Sequence, residues 1–151
     1  MMKITVLIVT YKRETLLLNC LKSLKQLQQY FDLEVVLFVN GETLSPLTKT
    51  RVQDSVQNLT ILEEKRTTPG IARNKALQSA MGDWVFFLDD DAYLPDDYAQ
   101  KVSKLMRENP SFQCFGGPDV MPSHSDSFQE SLAITLSSPF CTGPTFRRHK
   151  I

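Results

Sequence analysis

The sequence predicts an α/β fold, a doubly wound and mostly parallel sheet with helices on its faces. Three observations carry this. Continuously apolar runs such as KITVLIV and LEVVLFV alternate with segments whose apolar residues recur every three or four positions. Turn and helix-start signals, Asn40-Gly41 and Thr67-Thr68-Pro69-Gly70, fall between the two kinds of segment. The 151 residues, 42% apolar and 23% charged, make one domain of ordinary size, which removes roughly two-thirds of its unfolded surface from water.

Lys3 to Val9 reads as the first strand, β-branched and buried on both faces. It is too short to cross a bilayer and has no small-residue cleavage site. After the loop Thr10 to Arg13, a helix is marked by Leu16, Leu17, Cys20, Leu21, Leu24 and Leu27. Leu33 to Val39 is a second apolar strand ending at Asn40-Gly41. Pro46 opens a weaker helix to about Val56, and Leu59 to Leu62 is a short third strand. The next helix runs from Ile71 to about Met81, closed by Gly82. Trp84 to Leu88 is the fourth strand, and a helix follows from Pro95 to Arg107, with Asp96 and Asp97 at its positive end. Phe112 to Phe115 is expected as a fifth strand. Beyond Gly116-Gly117-Pro118, which reads as backbone brought close to a ligand or equally as a tight turn, the chain is rich in Ser and Pro, with one amphipathic stretch from Phe128 to Leu136 and a basic end at Arg147, Arg148, His149 and Lys150.

With 17 basic and 17 acidic residues the net charge is zero, which argues against nucleic acid as a partner and makes any acidic site local. Cys20, Cys114 and Cys141 form no Cys-x-x-Cys pair, so neither a zinc site nor a disulfide framework is expected, and a reducing cytosol is the expected compartment. His124 and His149 lie in polar segments and read as solvated side chains.

In a doubly wound sheet, ligands bind outside the carboxyl ends of the strands. Four polar clusters are expected there: Thr10 to Arg13, Asn40 to Glu42, Glu64 to Arg66, and Asp89 to Asp91. The last is the most informative. Three adjacent carboxylates after VFFL repel one another unless a cation compensates them, although surface loops and helix starts also favour aspartate. A hard divalent cation such as Mg²⁺ takes oxygen ligands, usually one or two protein carboxylates, and completes its shell with phosphate oxygens.

VLIVTYKRETLLLNCLKSL, GIARNKAL and FFLDDDAYLP, in this order and spacing, resemble the family 2 glycosyltransferases of GT-A fold. The resemblance covers Lys3 to about Pro118 and continues through GGP and SSPFCTG. It implies residues 1–118 as a nucleotide-sugar-binding α/β domain and 119–151 as the incomplete start of an acceptor-side region. It implies metal-dependent, inverting transfer of a sugar from a nucleoside-diphosphate sugar to an acceptor hydroxyl, in polysaccharide or cell-envelope glycan synthesis. A saccharide or lipid-linked saccharide is the implied acceptor, and the inner face of the cytoplasmic membrane the implied location. Peripheral lipid contact through the 128–136 stretch and the basic end is one reading; a core helix left uncovered is the other.

Carried over residue by residue, the resemblance makes Asp89 and Asp91 the Asp-x-Asp ligands of Mn²⁺ or Mg²⁺. It assigns Thr10, Tyr11, Arg13, Asn40, Arg73, Asp89 and Asp90 to the nucleotide, with the Tyr11 ring packed on the base. Two of these have a plainer alternative: Tyr11 as a sheet-edge aromatic, Arg73 as a solvated helix residue. Two departures stand out. Where family members have a pattern like Val-Asp-Asn-Gly-Ser after the second strand, this chain has Val39-Asn40-Gly41-Glu42, without the base-reading aspartate unless Asn40 or Glu42 replaces it. The acidic catalytic base of an inverting transfer has no recognisable counterpart among Asp119, Asp126 and Glu130, so the base is expected beyond residue 151. A nucleotidyltransferase fits less well because VTYKRETL lacks a glycine-rich loop. A receiver-type phosphorylation domain, with acids on two strands and a lysine on a later one, also fits poorly. A nucleotide-sugar-binding fragment without catalysis stays open.

Overall fold

The computed structural model describes residues 1–117, 127–136 and 138. Two compact units divide the chain, Met1–Glu108 and Asn109–Ile151.

The first unit is a parallel sheet of four strands, β1 (Lys3–Thr10), β2 (Asp32–Asn40), β3 (Leu59–Glu64) and β4 (Trp84–Asp89), in the spatial order β3-β2-β1-β4. Helices α1 (Glu14–Ser23), α2 (Pro46–Ser55) and α3 (Pro69–Leu77) connect successive strands, and α4 (Tyr98–Glu108) follows β4. β1 and β2 form the centre. Leu7, Val36 and Phe38 pack with Ala72 and Ala76 of α3, while Val6, Ile8, Val35 and Leu37 point to the opposite face and are equally buried. Burying each large aliphatic or aromatic side chain contributes about 1.5–3 kcal/mol. Leu17, Cys20 and Leu21 of α1 are buried with Leu24 and Leu27 of the 3-10 turn Leu24–Gln29. The predicted stripe holds except at Leu16, which is 44% exposed.

The register brings the carboxyl ends level, Thr10 beside Val39, Asn40 beside Glu64, and Val9 beside Asp89. From β1 the chain steps to β2 and β3, then returns to place β4 on the other side of β1. The direction of winding reverses between β1 and β4, and a crevice opens at such a reversal.

Several expectations are corrected. The fourth strand, whose run VFFL is as apolar as a buried strand, lies at the sheet edge: among the described residues β4 pairs only with β1, and Phe87 is 56% exposed. Helix α3 stops at Leu77, with the Gln78, Ser79 and Ala80 amides turning back to carbonyls three residues earlier, so Met81 lies outside it. Helix α4 begins at Tyr98 rather than Pro95, because the Pro95 carbonyl closes a turn with the Tyr98 amide. The fifth strand is absent. Residues 112–115 are bend and irregular backbone, Phe112 and Cys114 are exposed, and a run of only four residues is too short to pin a strand's register.

In the second unit, α5 spans Ser127–Leu136, the predicted amphipathic stretch, with Phe128, Leu132 and Ile134 exposed. No helix among the described residues is long and apolar enough to cross a membrane. The Gly116-Gly117 part of the GGP turn is described, whereas Pro118, Asp119, His124, Asp126, Cys141 and the basic end from Arg147 to Lys150 lie outside the described residues.

Candidate functional site

Asp89 ends β4, and Asp90 and Asp91 form the turn that follows it. Asp90 is buried and accepts from Thr10 Oγ1 at 2.7 Å, a bond that crosses the reversal point from the end of β1. Arg13 Nη1 lies 3.4 Å from Asp90 Oδ1 and 2.8 Å from Asp91 Oδ2. Arg73, one turn into α3, donates from Nη2 to Asp89 Oδ1 at 2.7 Å. Arginines and a hydroxyl therefore answer the repulsion expected of three adjacent carboxylates. Both arginines are fixed by helix starts. Arg13 occupies the N-cap position of α1 without capping it through its side chain. Arg73 follows the Thr68 cap, whose hydroxyl accepts from the Ile71 amide, and Pro69 at the first position.

Each aspartate-arginine pair leaves acceptor capacity over. Asp89 and Asp91 each engage one carboxylate oxygen, and both side chains are about half exposed or more. Among the described residues no group of three His, Cys, Asp or Glu converges on a point. The free oxygens of these two exposed carboxylates have the donor chemistry of a hard divalent cation, which takes only one or two carboxylates from a protein.

The acidic turn is held from beneath. Cys20 Sγ donates to the Asp89 carbonyl at 3.6 Å. Burial first, then the nearby aspartates, push its thiol up to about 12. Ser23 Oγ accepts from the Leu94 amide at 3.0 Å, and Gln26 donates to the Leu94 and Pro95 carbonyls at 3.3 and 2.6 Å and accepts from the Ala99 amide at 3.1 Å. These two side chains bracket the segment between the aspartates and α4. Sequence reasoning missed them because their partners lie 68 to 73 residues away.

On the other side of β1, Tyr11 carries the Arg66 guanidinium 4.5 Å from its ring centroid and Lys12 Nζ at 5.5 Å. Lys12 adopts φ 56° and pairs with Glu42 at 2.9 Å; the Glu42 hydrogen bond and charge hold its ammonium above the ordinary lysine value. Asn40 is buried, and its amide clamps Thr67 twice, donating to the carbonyl at 3.0 Å and accepting from the amide at 2.8 Å. Gly41, at φ 102°, donates to the Glu64 carbonyl, and a β-carbon there would stand 2.7 Å from Arg66 Cβ. Asn40 and Glu42 are thus engaged in ordering the loops, and Arg66 is the residue they bring to Tyr11. Arg66 lies in the Glu64 to Arg66 cluster that the sequence placed at this edge, but nothing local announced its stacking.

Every predicted site residue therefore lies at the carboxyl edge. Thr10, Arg13, Arg73 and Asp89 to Asp91 form one connected network, with Tyr11 and Asn40 in a second across β1.

The chain matches the pattern described as glycosyl transferase family 2 over residues 5–148. It is 29% identical over 114 residues to a poly(ribitol-phosphate) beta-glucosyltransferase of Bacillus spizizenii, covering 73% of this chain and 18% of that protein. Over 114 residues it is 32% identical to the poly(ribitol-phosphate) beta-N-acetylglucosaminyltransferase TarS of Staphylococcus aureus, covering 74% and 20%. The crystal structure of S. aureus TarS 1-349 in complex with UDP superposes with a TM-score of 0.67 at 25% identity, covering 83% of this chain and 38% of that one. The chain thus spans well under half the length of these relatives. Its fold is of the GT-A type, and since the pattern match takes in nearly every residue, the chain belongs to glycosyl transferase family 2.

Proposed function

We propose that this chain forms the donor-binding part of a metal-dependent, inverting glycosyltransferase that moves a sugar from a nucleoside-diphosphate sugar to an acceptor hydroxyl in cell-envelope glycan synthesis. The observation that carries the reading is the network at the reversal point, where Asp89, Asp90 and Asp91 meet Thr10, Arg13 and Arg73. The UDP complex of TarS and the polyol-phosphate glycosyltransferases among the relatives support it.

In this reading Tyr11 packs against the base, in the region Arg66 now covers. Asp90 holds the end of β1 to the end of β4 through Thr10, so that the base side and the diphosphate side keep one geometry. Asp89 and Asp91 would hold Mg²⁺ or Mn²⁺. When bound, such an ion offsets the charge that grows on the departing diphosphate. Arg13 and Arg73 supply guanidinium donors suited to phosphate oxygens. The base that takes the acceptor's proton is assigned to no residue of this chain, and the acceptor, saccharide or lipid-linked saccharide, binds outside the site described. Family membership leaves the nucleotidyltransferase alternative without support.

The test is calorimetric titration with UDP, GDP, CDP and dTDP, with and without Mn²⁺, alongside Asp91→Ala. Metal-dependent binding that Asp91→Ala abolishes is expected. A folded chain that takes none of the four would overturn the reading.

A further inference from the structure

Arg13 differs from the other cations at the carboxyl edge in having two anionic partners of unlike burial. Asp90 keeps only 8% of its side chain exposed, whereas Asp91 is 49% exposed. One nitrogen, Nη1, serves both, and the closer contact, 2.8 Å against 3.4 Å, is with the exposed partner. Nη2 and Nε of the same guanidinium engage no described residue. Apart from Lys65, which has no ion pair among the described residues, the other cations around the edge are committed differently. Arg73 pairs with Asp89, Lys12 with Glu42, Lys75 with Glu64, and Arg66 rests on Tyr11.

This arrangement suits an exchange of partners. A carboxylate as buried as Asp90 requires a persistent counter-charge, so Arg13 remains anchored there whatever Asp91 does. Asp91 has alternatives in solvent, and its contact with Arg13 is a surface pair worth little. We propose, on the basis of the donor-site reading above, that Arg13 is the built-in counter-ion of the acidic turn and competes with a divalent cation for Asp91. Occupation of Asp91 by the cation leaves the guanidinium anchored on Asp90 alone, with Nη2 and Nε available to the diphosphate. Metal and diphosphate then favour each other's binding through one side chain. The two uses of Arg13 have opposite signs: it weakens metal binding in the absence of nucleotide and strengthens nucleotide binding.

The test uses the whole chain and two variants, Arg13→Gln and Arg13→Lys. Mn²⁺ affinity without nucleotide is read from the electron paramagnetic resonance signal of free Mn²⁺, and UDP affinity without metal by calorimetry. Removing one positive charge a few ångströms from a divalent ion at a partly solvated site is expected to tighten Mn²⁺ binding by about fivefold or more in Arg13→Gln. UDP binding without metal weakens in the same protein, and Arg13→Lys keeps Mn²⁺ affinity within about twofold of the wild type, since the charge is retained. Melting curves that superpose establish that Arg13→Gln is folded. Unchanged or weaker Mn²⁺ binding by a folded Arg13→Gln, or no Mn²⁺ binding by any of the three proteins at millimolar concentration, overturns the proposal. If the wild type binds UDP while Mn²⁺ affinity is insensitive to Arg13, the counter-ion role alone fails. If it takes none of the four nucleoside diphosphates with or without Mn²⁺, the donor-site reading fails and takes this proposal with it.

Discussion

Gly82 offers the sharpest test of the packing beneath the site. A β-carbon at this position would stand 2.5 Å from the Thr5 nitrogen, 2.7 Å from Thr5 Oγ1 and 2.8 Å from the Ile4 carbonyl carbon. Two of these atoms are backbone of β1, and Ile4 and Thr5 are wholly buried, so the strand cannot give way. The turn between α3 and β4 must instead retreat by about 1 Å, an overpacking strain of roughly 1–3 kcal/mol. Retreat also breaks the 2.9 Å bond from the Gly82 amide to Thr5 Oγ1 and stretches the 2.8 Å bond from the Asp83 amide to the Lys3 carbonyl, adding about 1 kcal/mol. Gly82→Ala should therefore lose about 2–4 kcal/mol, a large part of the roughly 5–15 kcal/mol available to a domain. At about 2–4 °C per kcal/mol for a chain of this size, Tm falls by roughly 5–15 °C. Urea unfolding followed by circular dichroism measures the loss, with Gly70→Ala as control. Nothing lies within 4 Å of a β-carbon at Gly70, in the first turn of α3, so that change should be neutral or stabilise by up to about 1 kcal/mol. A Gly82→Ala loss below about 1 kcal/mol, or equal shifts in the two variants, would refute the close-approach argument.

Three further outcomes are expected. Glu14 accepts from the Thr48 hydroxyl and from the Ser45 amide and hydroxyl, which, in that order, hold its carboxyl below the ordinary 4.5. Its contribution is fully present above that pH and is lost as pH falls through the lower folded-state value. Glu14→Gln should cost about 0.5–1 kcal/mol at pH 7 after allowing for solvent, and the gap to wild type, followed by chemical denaturation between pH 7 and 3, should close on the acid side; a pH-independent gap would count against the bonds. Cys20, buried and with its thiol pushed up to about 12, should resist iodoacetamide at pH 8 while exposed Cys114 is modified, as peptide mapping reads directly; equal labelling would contradict the burial. Asn40→Asp replaces the amide that donates to the Thr67 carbonyl with a carboxylate oxygen that faces it. It should destabilise by about 1–3 kcal/mol in thermal melts at pH 7, and a neutral result would show that Thr67 is not clamped as described.

What the sequence made legible follows from the range of the forces involved. β1 and β2 were readable because both faces of each are buried, so apolarity alone marks Ile4 to Val9 and Leu33 to Val39. The loop-end clusters were readable because strand direction puts every carboxyl end on one edge. Glu34 was not: it is the acidic member of LEVVLFV, wholly buried, and tied to Thr5 Oγ1 at 2.5 Å and the Met81 amide at 2.8 Å, partners 29 and 47 residues away. The pairings of Asp90 with Thr10 and Arg13, and of Gln26 with the segment before α4, were hidden for the same reason. At 112–115 two phenylalanines imitated a strand, and at Pro95 a helix-favouring residue closed a turn instead. In both places local chemistry admitted more than one conformation, and no distant partner was visible to decide between them.

The left-handed residue at Lys12 sets a length. β1 lies between β2 and β4, and the reversal of the backbone at Lys12 sends its two neighbours to opposite sides, Tyr11 to Arg66 beyond β2 and Arg13 to the aspartates after β4. The first loop thus works as a caliper, with an aromatic ring for one jaw and a guanidinium for the other. Its opening is fixed by a conformation that residues bearing a side chain seldom hold. Inserting one residue beside Lys12 would move the jaws apart by up to about 3.8 Å, more than a hydrogen bond can span. Whatever ligand lies along this edge is therefore gauged end to end by three consecutive residues, before any single contact with it is made.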